Sequence, residues 1–241
     1  MTTTHARGRL AFALDVATWG EAAPLAEKLS PHVGVLKVGL ELFCREGPVV
    51  ASEAAKLGLD VFLDLKLHDI PETVDRAVGS VAALGVRYLT IHASGGGAMI
   101  ERAVRRTEGS ELRILAVTVL TSLDQSDLDA VGLSGSPSSA ASRLGALAVE
   151  SGAHGLVCSA SEVHQVRSAV GQKAILITPG IRPSGASVGD QKRVATPRDA
   201  IARGADLLVV GRPLRDAADP IAVANEIVRD IELGLSDRSA S

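Results

Sequence analysis

Short apolar runs alternate with longer amphipathic segments along nearly the whole chain. Runs of four to eight apolar residues, many of them β-branched, are typical of buried strands. Eight such runs occur, at residues 10–16, 35–40, 61–65, 88–92, 113–119, 155–158, 174–178 and 207–210. Between most of them lie segments rich in Ala, Glu, Lys and Arg with helical spacing, such as 20–29, 72–84 and 196–203. The pattern predicts strands and helices in regular alternation.

Glycines mark the ends of several predicted helices. Each of four glycines follows a helical segment and precedes the next strand, as C-terminal helix caps do: Gly58, Gly85, Gly152 and Gly204. Strands that alternate with helices form a parallel sheet, and eight is the number that closes a (β/α)8 barrel.

A doubly wound open sheet is the alternative architecture. Such a sheet would usually carry a glycine fingerprint after the first strand, but residues 15–18 read Asp-Val-Ala-Thr. We therefore predict an α/β protein with one (β/α)8 TIM-barrel domain over residues 1–241. We expect flexible tails at 2–8 and 236–241, where nothing in the pattern anchors the chain.

Composition narrows the class of protein further. Hydrophobic residues make up 46% of the chain, enough for a sizeable core. A net charge of −3 and an aromatic content of 2% argue against nucleic-acid binding. No apolar run approaches the roughly 18 residues of a membrane span, and the one at 10–14 is too short for a signal peptide. We expect a cytoplasmic protein whose two cysteines, Cys44 and Cys158, are buried free thiols.

Ionisable residues are predicted to converge at the mouth of the barrel. Positions 61, 63 and 65 are apolar, so the opposite face of the third strand carries Asp64 and Lys66. The same alternation turns three more side chains inward at the ends of neighbouring strands: Asp15, Lys37 and His92. Charges are seldom buried unless they are paired. This cluster is therefore either a salt-bridge network or a functional site.

Structural and metal-binding roles compete with a catalytic one at these positions. Asp64 and Lys66 could merely neutralise each other, and His92 could be a packed or hydrogen-bonded histidine. Asp69 equally fits an N-cap, because Ile70, Pro71 and an acidic residue follow it. Asp15, Asp64, Asp69 and His92 could also ligate Mg²⁺ or Zn²⁺. The two interleaved lysines would repel a cation, so we expect no metal.

A phosphate site is predicted on the opposite side of the barrel. Strand eight runs into Gly211 and Arg212, which combine close backbone approach with a guanidinium suited to bidentate contact. Barrels often bind phosphate after strands seven and eight. Arg182 and Gln191 lie in the loop at 180–192, which we expect to act as a lid because it offers few apolar anchors. A second long loop is expected at 122–142.

A resemblance to a known family rests on many motifs in one order. Residues 64–69, DLKLHD, resemble the DxKxxD motif of the orotidine 5′-phosphate decarboxylase family. Other segments are similar to that family as well: LDV at 14–16, LKVGLELF at 36–43, FLDLKLHDIPETV at 62–74, IHASGG at 91–96, AVTVLTS at 116–122, TPGIRP at 178–183, GDQKR at 189–193 and VVGRP at 209–213. The resemblance covers nearly the whole chain and departs at no functional position.

This resemblance implies a carboxy-lyase that converts orotidine 5′-monophosphate to UMP and CO₂ in pyrimidine synthesis. It implies a cofactor-free homodimer with active sites at the interface. Lys66 would donate the proton to C6, and Lys37 and Asp64 would complete the charge array, Asp64 beside the departing carboxylate. Asp69 resembles the member contributed across the dimer interface, with Ile70 and Thr73 close to the partner's substrate.

The same resemblance assigns the remaining substrate contacts. Asp15 and Lys37 would contact ribose hydroxyls, and Thr121 the pyrimidine. The phosphate end would be held by four residues: Arg182, Gln191, Gly211 and Arg212.

Two alternative functions remain open at this point. One is a Mg²⁺-dependent sugar-phosphate decarboxylase or aldolase of the same superfamily, which would carry an acidic metal ligand where Lys37 stands. The other is a catalytically idle barrel that binds nucleotides as a sensor.

Overall fold

Eight parallel strands close into one barrel in sequence order. The computed structural model describes residues 3–183 and 195–240. The strands are β1 (Leu10–Leu14), β2 (Val35–Val38), β3 (Asp60–Leu67), β4 (Tyr88–His92), β5 (Arg113–Val117), β6 (Gly155–Val157), β7 (Ile175–Thr178) and β8 (Leu207–Val210). Each pairs in parallel with its neighbours, and β8 pairs with β1. The predicted barrel and all eight predicted strands are confirmed.

Helices follow the strands in the expected alternation. They are α1 (Thr3–Arg7), α2 (Trp19–Leu29), α3 (Leu40–Glu46), α4 (Val49–Ala55), α5 (Pro71–Ala82), α6 (Gly97–Arg105), α7 (Gln125–Ala130), α8 (Pro137–Glu150), α9 (Val163–Val170), α10 (Pro197–Ala202), α11 (Arg212–Arg215) and α12 (Pro220–Ala240). The four predicted capping glycines all have positive φ, as an αL cap requires.

The core has two layers, which follow from side-chain alternation along the strands. The layer inside the barrel consists of apolar side chains that range in size from alanine to phenylalanine: Ala11, Ala13, Val35, Phe62, Leu115, Ile177, Leu207 and Val209. The alternate strand positions, such as Phe12, Leu36 and Leu63, pack outward with the helices. Continuing the inner set toward the carboxyl ends of β1, β2 and β3 leads to Asp15, Lys37 and Asp64, so the predicted inward orientation is confirmed.

The described parts of both predicted tails are mostly helical, and their flexibility stays a prediction. Residues 3–7 form α1, with Ala6 buried. Residues 236–240 are the last turns of α12, where Arg238 donates to the Ala205 carbonyl and to Asp206. A side chain that reaches back to the barrel anchors the end of the chain more firmly than local sequence suggests.

Two predictions need correction. The loop expected at 122–142 contains α7 and the start of α8. Helix α7 is stabilised by a capping box in which Asp124 and Asp127 each accept a backbone N–H from the other's position. Cys158 is a buried free thiol as predicted, but Cys44 is exposed. Across 3–183 and 195–240, no helix is both long and apolar enough to span a bilayer.

Candidate active site

Four charged side chains of alternating sign form a continuous array at the mouth of the barrel. Lys37 Nζ lies 3.0 Å from Asp15 Oδ1 and 3.7 Å from Asp64 Oδ2. Lys66 Nζ lies 2.8 Å from the same Asp64 oxygen. The array therefore runs Asp15, Lys37, Asp64, Lys66 across the ends of three adjacent strands, and the structure brings these four predicted residues together.

Asp64 is the electrostatic centre of this array. Burial alone would raise the pKa of its carboxyl group, because desolvation disfavours the charged form. The positive charges of Lys37 and Lys66, with hydrogen bonds from Lys66 and Thr90, outweigh burial and lower the pKa of Asp64 below its usual range. Asp64 is therefore ionised at neutral pH, although its side chain is only 15% exposed.

Lys66 has an unusual backbone conformation. Its φ is +52°, and it has the only positive φ among the described residues other than glycine. A residue with a Cβ in this region costs about 1–3 kcal/mol and persists only where its surroundings enforce it. Such strain is common at functional sites.

Thr90 contacts both Asp64 and Lys66, a role that the sequence pattern did not reveal. Its hydroxyl donates to Asp64 Oδ1 at 2.9 Å and accepts the Lys66 backbone N–H at 2.9 Å. The alternation along β4 turns Thr90 inward, but nothing in the sequence indicates which groups it meets.

The array lines a cavity with an apolar side and a polar side. The apolar part has a volume of about 180 Å³ and brings Lys37, Asp64, Lys66 and Thr121 together with Phe62, Val117, Val119, Leu120, Val157, Cys158, Pro179 and Val209. The polar part has a volume of about 210 Å³ and shares Lys37, Asp64, Pro179 and Val209 with the first. The two parts thus form one trough, with Thr121 at its apolar end.

The polar part of the trough holds the predicted phosphate residues. Arg182, Gly211 and Arg212 line it together with Asp15. The Arg182 side chain is largely buried, and its Nη1 donates to the Ile181 carbonyl at 3.1 Å. Gln191 and most of the expected lid at 180–192 lie outside the described residues. The placement suits a ligand that spans the trough, with its anionic end at the arginines.

Two glycines make room for the array. A Cβ on Gly39 would lie 3.1 Å from Lys37 Nζ and 3.4 Å from Asp15 Oδ1. A Cβ on Gly211 would lie 3.2 Å from Asp15 Oδ2. A side chain at either position would crowd the Asp15–Lys37 ion pair. The close approach of the backbone to this pair therefore explains both glycines.

Asp69, Ile70 and Thr73 do not join the trough within one chain. All three are exposed, and among the described residues Asp69 forms no ion pair. The capping alternative for Asp69 is wrong: α5 begins at Pro71, its N-cap residue is Ile70, and no side chain caps it. Asp69 Oδ1 instead accepts the adjacent Ile70 N–H at 2.6 Å.

His92 packs beside the array. Its ring centroid lies 5.3 Å from that of His68. Burial is the largest cause that lowers the pKa of His92. The neighbouring His68 and Lys66 lower it further, and the negative charge of Asp64 only partly opposes this. His92 is therefore neutral at pH 7 and packs beside the array, which agrees with the alternative that it is a packed histidine.

The donor set at this site does not suit a metal ion. Within the part of the chain that the structure describes, no cluster of three or more His, Cys, Asp or Glu side chains could hold one. The space between Asp15 and Asp64 is filled by the Lys37 ammonium group. A cation there would meet a fixed positive charge, and both carboxylates already have partners.

Comparisons with known proteins agree with this geometry. The model of the orotidine 5′-phosphate decarboxylase / HUMPS family matches residues 8–227. The orotidine 5′-phosphate decarboxylase of Anaeromyxobacter sp. (strain K) is 58% identical over 219 residues, which is 91% of this chain and 96% of that protein. The enzyme of the same name from Thermobifida fusca (strain YX) is 52% identical over 225 residues, covering 92% and 95% of the two chains.

A solved structure extends the agreement to three dimensions. The crystal structure of orotidine 5′-phosphate decarboxylase from Lactobacillus acidophilus superposes with a TM-score of 0.81 at 34% identity, and the match covers 92% of this chain and 98% of that one. Sequence motifs, barrel topology and the charged array all lead to one assignment: this chain belongs to the orotidine 5′-phosphate decarboxylase / HUMPS family.

Proposed function

We propose that this chain is an orotidine 5′-monophosphate decarboxylase, a carboxy-lyase that forms UMP and CO₂ in pyrimidine biosynthesis. The observation that carries this proposal is the array of Asp15, Lys37, Asp64 and Lys66 along one trough. It places an ammonium donor beside an ionised carboxylate on a mostly apolar surface. That combination suits a reaction in which negative charge develops on a carbon atom and that carbon is then protonated.

The chemistry requires such a site because the substrate has no electron sink. When the bond between C6 and the carboxylate carbon breaks, the electron pair stays on C6 and CO₂ departs. Lys66 Nζ stabilises this charge as it forms and then transfers a proton to C6, which leaves UMP. The Lys66 ammonium has three N–H donors, and among the described residues only Asp64 pairs with it.

Asp64 has two roles in this proposal. Its contacts of 2.8 Å to Lys66 and 3.7 Å to Lys37 hold both ammonium groups in place. It also faces the position of the substrate carboxylate, where the repulsion between like charges disappears as neutral CO₂ leaves. Lys37 keeps Asp64 ionised throughout the reaction.

Binding of the nucleotide would be distributed along the trough. Arg182, Gln191, Gly211 and Arg212 would hold the phosphate, and Asp15 and Lys37 the ribose hydroxyls. Thr121 would contact the pyrimidine at the apolar end. Because the phosphate lies far from C6, its binding energy can serve to order the array around the reacting carbon.

A homodimer would complete the site. Asp69, Ile70 and Thr73 are exposed beside the carboxyl end of β3, where a second copy could receive them near its own substrate. The Ile70 side chain is 66% exposed in the single chain, so it is accessible to a partner subunit. We propose this assembly and a cytoplasmic location together with the activity.

The experiment is to follow the ultraviolet absorbance of orotidine 5′-monophosphate mixed with the enzyme in EDTA. Conversion to the UMP spectrum supports both the reaction and its independence from metal. If the spectrum does not change and Mg²⁺ restores activity toward a sugar phosphate, the proposal is wrong and the metal-dependent alternative replaces it. Binding of UMP without any turnover would instead identify a nucleotide sensor.

A further inference from the structure

The backbone ladder between β3 and β4 is interrupted beside the reacting groups. Phe62 pairs with Tyr88 and Leu63 with Leu89, but the next pair is Leu67 with Ile91. Three residues of β3, 64–66, therefore lie opposite a single residue of β4, which is Thr90. Asp64 and Lys66 both belong to this irregular segment, so regular strand pairing does not hold them.

The Thr90 hydroxyl takes the place of the missing ladder contacts. It accepts the Lys66 backbone N–H and donates to Asp64 Oδ1, both at 2.9 Å. The direction of each bond is unambiguous, because an N–H can only donate and an ionised carboxylate can only accept. The Thr90 side chain is fully buried, so bulk water does not compete for its two hydrogen bonds.

The two bonds also orient the Asp64 carboxylate. With Oδ1 held by Thr90, Oδ2 is the oxygen that meets Lys37 at 3.7 Å and Lys66 at 2.8 Å. One hydroxyl thus restrains the carboxylate rotation and the left-handed backbone of Lys66, whose φ is +52°.

We propose that Thr90 is a positioning residue for decarboxylation, holding the Asp64 carboxylate and the Lys66 backbone in their reactive arrangement through its hydroxyl group. Thr90 does not line the trough and acts through its two neighbours. This inference rests on the proposed function, since it assigns a role in that reaction.

Replacing Thr90 by valine keeps the side-chain volume and removes both hydrogen bonds. Small misplacements of reacting groups are costly, so we expect kcat of Thr90→Val to fall at least about 30-fold. We expect KM to change by less than about threefold, because the phosphate contacts are remote from this position. Thr90→Ser, which keeps the hydroxyl, should recover kcat to within about fivefold of the wild type.

A second measurement separates positioning from a general structural defect. The hydrogen bond from Thr90 helps to lower the pKa of Asp64, so its loss raises that pKa. Asp64 also faces Lys37 from β2, Lys66 from its own strand and His92 from β4, and none of these residues is substituted in the variant. The acid limb of kcat should therefore lie at higher pH in Thr90→Val than in the wild type.

Thr107→Val is the matched control. Thr107 is also buried, and its hydroxyl donates to the Val104 carbonyl at 2.8 Å near the opposite end of the barrel. We expect this variant to lower thermal stability and to leave kcat, KM and the acid limb unchanged. Thr90→Ala, assayed in the same way, replaces Thr90→Val if the latter does not fold.

The outcomes distinguish this inference from the proposed function. A wild-type enzyme without decarboxylase activity contradicts the proposed function. With an active wild type, a folded Thr90→Val or Thr90→Ala variant with kcat within threefold of wild type overturns the positioning role alone. Equal losses in Thr90→Ser and Thr90→Val would also overturn it, because the hydroxyl would then not be the determinant.

Discussion

Charged side chains cluster at both ends of the barrel, with different hydrogen bonding. The base cluster, at the amino-terminal ends of the strands, consists of Arg9, Arg167, Asp206 and Arg238. All three arginines lie within 3.5 Å of the Asp206 carboxylate. The array at the carboxyl ends has two lysines and two aspartates. The base cluster carries a net positive charge, whereas the array is balanced.

The base cluster is bonded largely to the backbone. Arg167 donates to the carbonyls of Gly171, Ala174 and Gly204, each at 2.8 Å. Asp206 in turn accepts the Leu176 N–H at 2.9 Å. With its donors used in this way, the Arg167 guanidinium fastens α9 to the starts of β7 and β8 and has little capacity left for a ligand.

The array is bonded mostly to itself and lies against a cavity. Lys37 and Lys66 pair with carboxylates of the array, and both line the trough. The number of charges therefore does not distinguish a functional site from a structural cluster. The distinguishing property is whether donors remain available next to open space.

The strongest test of this comparison is Lys66→Ala. Removing the proton donor and the charge beside C6 should lower kcat at least about 10⁴-fold. The fold should survive, because the Thr90 contact to residue 66 uses the backbone. Measurements of kcat by ultraviolet absorbance and of UMP affinity by calorimetry check both parts.

Lys56→Ala is the control for that variant. Lys56 is an exposed lysine whose partner is Glu53, and its removal should leave kcat unchanged. A folded Lys66→Ala variant within tenfold of wild-type kcat would contradict the assigned role.

Arg212→Ala tests the polar end of the trough. Loss of a charged phosphate contact should lower kcat/KM, and the drop should correspond to roughly 2–5 kcal/mol of lost transition-state stabilisation. The matched control is Arg198→Ala, whose guanidinium pairs with Asp237 on the surface. Orotidine without its phosphate should be a poor substrate for the wild type and should be almost insensitive to Arg212→Ala. Equal efficiency with orotidine and its phosphate would rule out this contact.

Asp206→Asn examines the base cluster, and here stability should change instead of catalysis. It leaves three guanidinium groups without their carboxylate, so the free energy of unfolding should fall by about 2–3 kcal/mol. This is below the full cost for a buried pair because Asp206 remains 24% exposed. Urea denaturation measures the loss, and kcat of the folded enzyme should not change. The surface variant Asp237→Asn should lower the free energy of unfolding far less, because solvent screens its ion pair with Arg198. Lower kcat in Asp206→Asn would show that the two clusters are coupled.

The smallest expected effect is a pH dependence of stability from Asp64. Its pKa is lowered in the folded state, so its stabilisation is present above the unfolded-state pKa of about 4. It is lost as pH falls through the lower folded-state value. The difference in unfolding free energy between wild type and Asp64→Asn should therefore be constant from pH 7 to 5 and should shrink below pH 4. A difference that grows on acidification would mean that Asp64 has a raised pKa.

Alternation along the strands was sufficient to predict most of the array. Asp15, Lys37 and Asp64 continue the inner face of their strands. That face could be identified from the sequence because apolar residues occupy it. Arg182 and Arg212 were found from their positions after β7 and β8. Each of these signals is local in sequence, and closure of the barrel brings the residues close together in space.

The features that escaped prediction depend on contacts distant in sequence. The role of Thr90 follows from a register shift between β3 and β4, for which the sequence carries no marker. The helical end of α12 follows from Arg238 reaching Asp206. The spacing of Asp124 and Asp127, by contrast, is a capping-box signal that could have revealed α7. For Asp69, a proline at the first helical position fits an N-cap at Ile70 equally well.

The absence of a side chain at Gly39 affects both stability and activity. Its φ is −93°, a value that alanine adopts without strain, and exchanging glycine for alanine at such positions usually stabilises a protein by about 0.4–1 kcal/mol. Here the added methyl group would lie 3.1 Å from Lys37 Nζ, so the ammonium group would have to shift by a few tenths of an ångström. The gain from a less flexible unfolded chain is therefore opposed by crowding of the Asp15–Lys37 ion pair, and that crowding should lower turnover. A screen that scores only melting temperature would therefore not detect the loss of activity that we expect at this position.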